Sequence, residues 1–502
     1  MTTVPSTAES YSRPENQDEM SRRSRFSLVL APAAVVLLGF ALRLYRLNHE
    51  SVGYDEAFSM LATRLTVAGM WQHLVEDFVH PPLHYFALRG WLDVFGYGVG
   101  AARMLSVVFG GLSVALLYLL TKYLFDRQSA LVSSLLLAVS QLAIMFSQEA
   151  RPYAQFLFFF LACWYLFIRA LHTRSIRLWC GFLCASILLI YTHYFGLLVL
   201  GTLLLFLLLQ RRQFAIPPAW WIGGAAVILL AYVPWLTSGI VQAATHSAKT
   251  FSGKNSFWAV GGSTFFTAVN FFNNGKPTGL YGSSPMWTFF LGGLLFSGPA
   301  TLAFFTVRQK PARQHLVLAA MLWALPIIGA IAAGAMHFQY NVRYVAFCAA
   351  PYYVLVGCGI TRIKPFLLRS GLLVLVLGYT ANSLRANFFM PKREDFRAAG
   401  NYIAHSAQPG DCIAFFPGQY IPQQWRVEHP ETSLRIIDKD DFTPSLSQCG
   451  RIWAISSSVS GNPWQRERAR TEVRTLDITH TTIDTKRFFW VDVALYSRRK
   501  LE

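Results

Sequence analysis

The sequence predicts an α-helical polytopic membrane protein of about eleven transmembrane helices, followed by a small C-terminal α/β domain outside the membrane. Three observations predict it. Hydrophobic residues make up 54% of the chain and come in long runs such as Leu28–Leu42, Leu197–Leu209 and Gly371–Tyr379, which no soluble globular composition explains. Basic residues punctuate alternate connections between those runs. Hydrophobicity then drops after about residue 384, where strand and helix patterns alternate.

A helix needs roughly 20 apolar residues to cross the hydrocarbon core. On that measure, spans fall near 26–45, 103–125, 129–147, 153–171, 178–193, 195–210, 219–239, 286–307, 316–336, 345–361 and 366–384. The formal net charge of +18 follows the positive-inside rule rather than a nucleic-acid footprint. Arg22, Arg23 and Arg25 precede the first span; Lys122 and Arg127 follow the second, Arg174 and Arg177 the fourth. Arg211 and Arg212 follow the sixth, Arg308, Lys310 and Arg313 the eighth, Arg362 and Lys364 the tenth. The N-terminus is then cytoplasmic and the C-terminal region outside, in a bacterial cytoplasmic (inner) membrane. The first span is too long for a signal-peptide core and is expected to stay as an anchor.

Three segments are expected: a disordered cytoplasmic tail at 1–24, a transmembrane domain at 25–390, and an extracytoplasmic α/β domain at 391–502. In the loop 47–102, Ala57, Phe58, Met60, Leu61, Leu65 and Met70 share one side of a short amphipathic helix suited to the membrane interface. The loop 240–285, rich in Gly, Ser, Asn and Phe and flanked by Trp258 and Trp287, reads as a lid. Beyond it, Arg393–Ser406 is a helix stopped by Pro409-Gly410. Asp411–Phe416, Leu434–Ile437 and Arg451–Ser456 are strands, Pro463–Thr471 a helix and Arg487–Tyr496 a last strand. Cys163, Cys180, Cys184, Cys348 and Cys358 lie in spans as small packing residues. Cys412 and Cys449 lie in the outer domain, where a disulfide can form.

Polar residues recur at the outer ends of the spans: Tyr54-Asp55-Glu56, His80-Pro81-Pro82-Leu83-His84, Ser147-Gln148-Glu149-Ala150-Arg151, Tyr191-Thr192-His193-Tyr194 and Asn341-Val342-Arg343-Tyr344. Ionisable groups at the edge of a bilayer-spanning bundle are costly and point to function. All fall on one side. A transporter or flippase of a lipid-linked sugar is the alternative, but it calls for polar groups along the depth of several helices, and no inverted repeat is visible.

The strings Tyr-Asp-Glu-Ala-Phe-Ser, His-Pro-Pro-Leu, Ser-Gln-Glu-Ala-Arg-Pro-Tyr-Ala, Tyr-Thr-His-Tyr-Phe and the Arg-Tyr before the tenth span resemble bacterial membrane glycosyltransferases of family 39. That family is similar to protein O-mannosyltransferases and lipid A aminoarabinose transferases, with the GT-C fold. The resemblance runs in order over roughly 30–410 and includes Lys392-Arg393-Glu394-Asp395-Phe396-Arg397. It implies a polyprenyl-phosphate sugar donor, a lipid, glycan or protein acceptor, transfer on the outer face, inversion at the anomeric carbon and Asp55 as base. Among the polar residues at the outer ends, His80, Glu149, Arg151, Tyr153, His193, Arg343 and Tyr344 are the expected contacts to substrate or donor phosphate. No second Asp motif of the metal-dependent branch is present.

The chemistry of these residue types agrees. A sugar phosphate already has a good leaving group, so the acceptor hydroxyl is what needs help, and one carboxylate supplies it. Asp55 takes that role or caps the helix that follows; Glu56 orients the acceptor or holds Asp55. Arg343 suits the departing phosphate, its guanidinium binding two oxygens at once, or snorkels at the interface. Arg151 contacts the donor or pairs with Glu149. His80 meets phosphate or sugar, and His193 forms a site wall or part of an aromatic belt. His80, His84 and His193 have no tetrahedral zinc spacing; no metal and no cofactor is assigned, and no motif supports a divalent cation.

Overall fold

The computed structural model describes residues 15–77, 79–214, 217–250, 272–273, 286–335, 342–416, 421–431, 434–437, 448–457 and 463–499. Each of the expected spans is helical. Among the described residues, eight helices are long and apolar enough to cross a membrane, from Val99–Leu124 to Phe366–Phe389. The expected third span is a broken one, Arg127–Ala138 and Gln141–Ser147 bent by 56°. The first and fifth correspond to the shorter apolar stretches Val29–Leu44 and Ile176–Thr192.

The break after Ala138 has a physical cause. Arg43, fully buried, donates from its guanidinium to the carbonyls of Leu137 (3.3 Å) and Ala138 (3.2 Å), and to Ser147 Oγ at 3.1 Å. The carbonyl end of a helix carries partial negative charge, and a buried cation offsets it. Ser140 then caps the next helix, accepting from Ala143 N. The sequence hid Arg43 inside an apolar run.

Helix packing in the bundle is close enough to demand glycine. Gly359, on Ala349–Thr361, lies against Pro299, whose carbonyl oxygen would sit 1.8 Å from an added Cβ. The helix Tyr153–Thr173 packs between Val99–Leu124 and Ile176–Thr192, burying Phe156, Phe160, Trp164 and Phe167 in the main core. Cys163, Cys348 and Cys358 are buried as expected, whereas Cys180 and Cys184 are exposed on the bundle surface.

Several boundaries differ from expectation. A helix begins at Glu15, so the tail expected at 1–24 is helical over its last part, and residues 1–14 lie outside those described. The amphipathic helix is two helices, Tyr54–Ala62 and Val67–Asp77, and Ala57, Met60 and Met70 are buried in protein rather than facing an interface. The helix Pro218–Thr250 runs into the expected lid. Most of that loop, with Trp258, lies outside the described residues, while Trp287 is exposed.

The C-terminal domain has a five-stranded sheet, β1 (Cys412–Phe416), β2 (Arg435–Ile436), β3 (Arg451–Ser457), β4 (His480–Phe488) and β5 (Val491–Arg498), ordered β2-β1-β3-β5-β4. β1 runs parallel to β2 and β3; β5 is antiparallel to β3 and β4. Alternation along the strands fills two cores. Ile413, Phe415, Trp453 and Ile455 face the helices Phe396–Ser406 and Ile421–Glu428. Cys412, Ala414, Phe416 and Ile452 join Ala469 and Leu476 of Pro463–Thr479. The expected last strand is a hairpin turning at Trp490, in the left-handed region at φ 59°. Cys412 and Cys449 are bridged, their Cα atoms 6.0 Å apart.

This domain is seated on the helix that carries Asp55. Ile421–Glu428 packs on Tyr54–Ala62. Val52 N donates to Glu428 Oε1 (2.6 Å), and Gln424 Nε2 donates to the Val52 carbonyl (3.1 Å). Arg397 holds the same glutamate through Nε at 2.9 Å and Nη2 at 3.1 Å.

Candidate active site

The helix Tyr54–Ala62 starts at Gly53, whose extended backbone (φ −77°, ψ 160°) caps it without a side-chain bond. Asp55 is therefore not the cap. It lies in the first turn, where the helix dipole favours an acid, and its carboxylate accepts from Arg343 Nη1. Arg343 comes from the 3-10 turn Val342–Cys348 that leads into Ala349–Thr361. Asp55 and Arg343 keep 42% and 33% of their side-chain surface exposed, so the pair faces an accessible space.

Arg151 enters from below. Its Nη1 donates to the Asp55 carbonyl (2.9 Å) and to Ser59 Oγ (3.0 Å), fixing the turn on which the Asp55 carboxylate stands. The pairing of Arg151 with Glu149 that the sequence left open is not made. Glu149 accepts from Arg393 instead, because the chain after the last span brings that guanidinium between two carboxylates.

Glu56 is the other. Its carboxylate, 1% exposed, accepts from Arg103 Nε (2.8 Å) and Nη2 (2.9 Å), Arg393 Nη1 (2.8 Å) and Ala150 N (3.0 Å). Those bonds saturate its lone pairs and leave it no reach to an acceptor. It ties the Asp55 helix to the span Val99–Leu124, to the loop at Ala150 and to the start of the C-terminal domain. Burial would raise both carboxyls. For Glu56, Arg103 and Arg393 outweigh burial and bring it down to about 2. For Asp55, the charges of Arg151, Arg343 and Arg393 outweigh burial and hold it below the usual range.

His80 and His193 face each other with ring centroids 5.0 Å apart, Tyr344 lying 6.0 Å from the first and 5.2 Å from the second. Tyr153 lies 6.1 Å from His80 and 6.3 Å from His193. Both histidines are buried. Phe195 N donates to His193 Nδ1 at 3.2 Å, so in the neutral ring the proton is on Nε2. His84 turns away to Gln155 at 2.9 Å. Of the residues singled out in the sequence, Asp55, His80, Arg151, Tyr153, His193, Arg343 and Tyr344 thus come together, and Glu56, buried, and Glu149, partly buried, form an ionic layer beside them. Sequence reasoning gave Arg103 and Asp77 no place, and met Arg393 only as a helix start and within the resembling string Lys392–Arg397. Burial raises the Asp77 carboxyl despite the Val79 backbone bond and the charges of Arg151 and His73; Asp55 adds to the rise. Arg103 carried a signal, a charge at the mouth of an apolar run. Among the described residues, no group of three or more His, Cys, Asp or Glu is placed to hold a metal ion.

Residues 79–237 match the family model described as dolichyl-phosphate-mannose-protein mannosyltransferase. No curated protein matches the chain. Among solved structures, the chain is similar to ArnT from Cupriavidus metallidurans in the apo state, at 14% identity over 94% of this chain and 98% of that one, with a TM-score of 0.59. The same protein bound to undecaprenyl phosphate aligns at 14% identity over 93% and 97%, with a TM-score of 0.58. The archaeal oligosaccharyltransferase AglB from Archaeoglobus fulgidus, in complex with an inhibitory peptide and a dolichol-phosphate, aligns at 12% identity over 86% and 70%, with a TM-score of 0.53. The class follows from these likenesses: this is a multi-pass membrane protein of the GT-C fold. Within that fold, the family 39 likeness of its motifs agrees with the family model matched over 79–237.

Proposed function

We propose that the protein is an inverting glycosyltransferase that moves a sugar from a polyprenyl-phosphate donor to an acceptor hydroxyl, with Asp55 as general base. The observation that carries this reading is the Asp55–Arg343 ion pair at the open end of the bundle. It sets a proton acceptor beside a bidentate phosphate binder, the two groups this transfer needs. ArnT, whose fold is similar, has been solved with undecaprenyl phosphate bound, which supports a lipid-phosphate donor here.

The depressed Asp55 carboxyl is a poor base while Arg343 holds it. A donor phosphate offers Arg343 a stronger partner and releases Asp55. The acceptor oxygen then bonds to the anomeric carbon from the face opposite the phosphate, and the bond from that carbon to the phosphate oxygen breaks. The acceptor's proton passes to Asp55, and polyprenyl phosphate leaves with its charge held by Arg343. Arg151 keeps the Asp55 turn in place through its bonds to the backbone and Ser59; Glu56 and Glu149 hold the surrounding loops. The pattern of basic connections supports a site on the outer face of a bacterial cytoplasmic membrane, with the C-terminal domain on that side.

The purified protein is given radiolabelled polyprenyl-phosphate sugars in liposomes, and the labelled product is identified. Transfer of label to an acceptor, lost in Asp55→Asn, is expected. Label that stays on its carrier but changes leaflet would establish the transporter alternative.

A further inference from the structure

The C-terminal domain holds a cavity of about 550 Å³ between the helices Phe396–Ser406 and Ile421–Glu428, a size that suits a small-molecule site. One wall is a helix face, Gly400, Ile403, Ala404 and Ala407, about 10 Å long at the helical rise per residue. The other runs from Trp425 through Glu428 and His429 to Glu431. Ile403 and Trp425 are buried and floor the cavity, while Ala404, Gln408 and Glu431 are exposed at its rim. The near end lies at Glu428, whose carboxylate accepts from Val52 N on the approach to Asp55. The far end opens at Pro409-Gly410.

His429 is held in place from three sides. Its ring lies 4.5 Å from that of Trp425, and an added Cβ at Gly400 would fall 1.8 Å from Nε2, so only glycine admits the ring there. Nε2–H donates to the Phe396 carbonyl at 3.1 Å. Burial holds the ring below the ordinary imidazole range, although the Phe396 carbonyl and Glu428 pull the other way. The ring is neutral, and its Nδ1 is left as an acceptor.

The polar side chains lining the cavity, among the described residues, are Gln408, Trp425, Glu428, His429 and Glu431. Arg397 and Val52 N already occupy the Glu428 carboxylate. Of the lining side-chain atoms, Trp425 Nε1 alone is buried without a partner among the described residues, a donor that calls for an acceptor oxygen. No Lys or Arg is among the described lining residues, and both helices end against the cavity with their partly negative carbonyl ends. An anion is repelled by that set. A simple cation leaves the Trp425 N–H unmet. A ring bearing hydroxyls donates to Glu431 and His429 and accepts from Trp425 and Gln408, with its C–H face on the apolar wall. An extended peptide needs a free backbone edge to pair with, and the backbone of both walls is bonded within its own helix.

We infer that this cavity binds an uncharged, hydroxyl-bearing sugar unit of the acceptor, apart from the Asp55 site, and holds a glycan acceptor against the domain that is seated on the Asp55 helix. The assignment of the bound glycan as acceptor rests on the transfer reaction proposed above.

The test is equilibrium binding to the full chain in nanodiscs. The probes are cellobiose, mannobiose and N,N′-diacetylchitobiose, with deacetylated chitobiose as the cation and cellobiouronic acid as the anion. At least one neutral disaccharide is expected to bind about tenfold tighter than either charged one. Ala404→Phe, which fills the cavity from its rim, and Glu431→Gln, each checked for an unchanged melting temperature, are expected to weaken it by a similar factor. Asp55→Asn is expected to bind it as wild type does. A diazirine-bearing copy of the tightest probe is expected to label residues within 400–431, a readout that needs no variant. No neutral disaccharide bound, a charged one bound best, labelling confined elsewhere, or binding that survives in both rim variants would overturn the site while leaving the donor reading intact. Binding lost in Asp55→Asn would move the sugar to the bundle and overturn it as well. Sugar bound in the cavity with no transfer from any polyprenyl-phosphate sugar would overturn the acceptor assignment together with the donor reading.

Discussion

Asp55 and Arg343, 288 residues apart in sequence, meet as an ion pair at the open end of the bundle. On the proposed function, the base and the phosphate binder are each other's partner before substrate arrives. On that reading the base stays suppressed until a phosphate competes for the guanidinium.

Asp55→Asn is expected to lower kcat by about 10²–10⁴-fold, the usual worth of a positioned base. The amide keeps the size and much of the hydrogen bonding but takes no proton. Because the pair is partly solvent-exposed, its contribution to stability is small. Single-turnover transfer and a thermal melt on the same preparation check both halves; near-normal turnover would remove Asp55 from the chemistry.

Arg343→Ala is expected to raise the donor KM by about tenfold to a hundredfold, as a lost charge-assisted hydrogen bond does, with little change in acceptor KM. Arg343→Lys should recover only part, since an ammonium cannot bind two oxygens in one plane. Equal effects on donor and acceptor would point to a structural role.

The pH profile should carry the same signature. With Asp55 held below the usual carboxylate range, kcat/KM of the free enzyme is expected to hold its level through mildly acidic pH and to fall only below that range. Removing Arg343 leaves burial less opposed, so the carboxyl rises. The acid limb of Arg343→Ala should therefore move to higher pH. A limb that stays in place, measured with saturating acceptor, would separate the two residues.

Glu56→Gln is expected to destabilise the protein by about 3–5 kcal/mol, the cost of leaving a buried cation without its partner. The carboxyl is depressed from 4.5 to about 2 in the folded state. Its stabilisation is therefore complete above the unfolded value and drains away as pH falls towards the folded one. Melting curves of wild type and variant should converge on acidification across that window; parallel curves would place the variant's defect elsewhere.

Replacing Cys412 and Cys449 together by Ser should cost the C-terminal domain about 4 kcal/mol, from a crosslink closing a separation of 37 residues. In cells, a C-terminal reporter active only outside the cytoplasm should report when fused after 502. One active only inside should stay silent. The opposite result would invert the proposed topology.

The spans were legible because hydropathy is a local property: Tyr153–Thr173 announces itself in its own residues. The bend at Ala138 was not, since its cause is Arg43 on another helix. In the C-terminal domain β1 and β3 stood out as short apolar runs. β4 is exposed along most of its length and carries no alternation, so all but its last two residues carry no strand signal of their own. The residues of the site were legible as types in order, and the resemblance supplied their grouping. What the sequence withheld was pairing. Nothing local to Glu149 distinguishes Arg151, two residues away, from Arg393, 244 residues away, and only the fold decides between them.

The bond from Arg393 to Glu56 spans 337 residues, and that separation sets an order of events during synthesis. The Asp55 helix leaves the ribosome early, and its Glu56 has only Arg103, of that carboxylate's two guanidinium partners, for most of the chain's production. The loop at Glu149 waits equally long for its counter-charge. A nascent or truncated chain can thus have every membrane helix inserted while the ionic layer beside Asp55 lacks one guanidinium. That layer is completed last, from the far end of the chain, so on the proposed function a half-made copy in the membrane would present Asp55 on an unfinished scaffold.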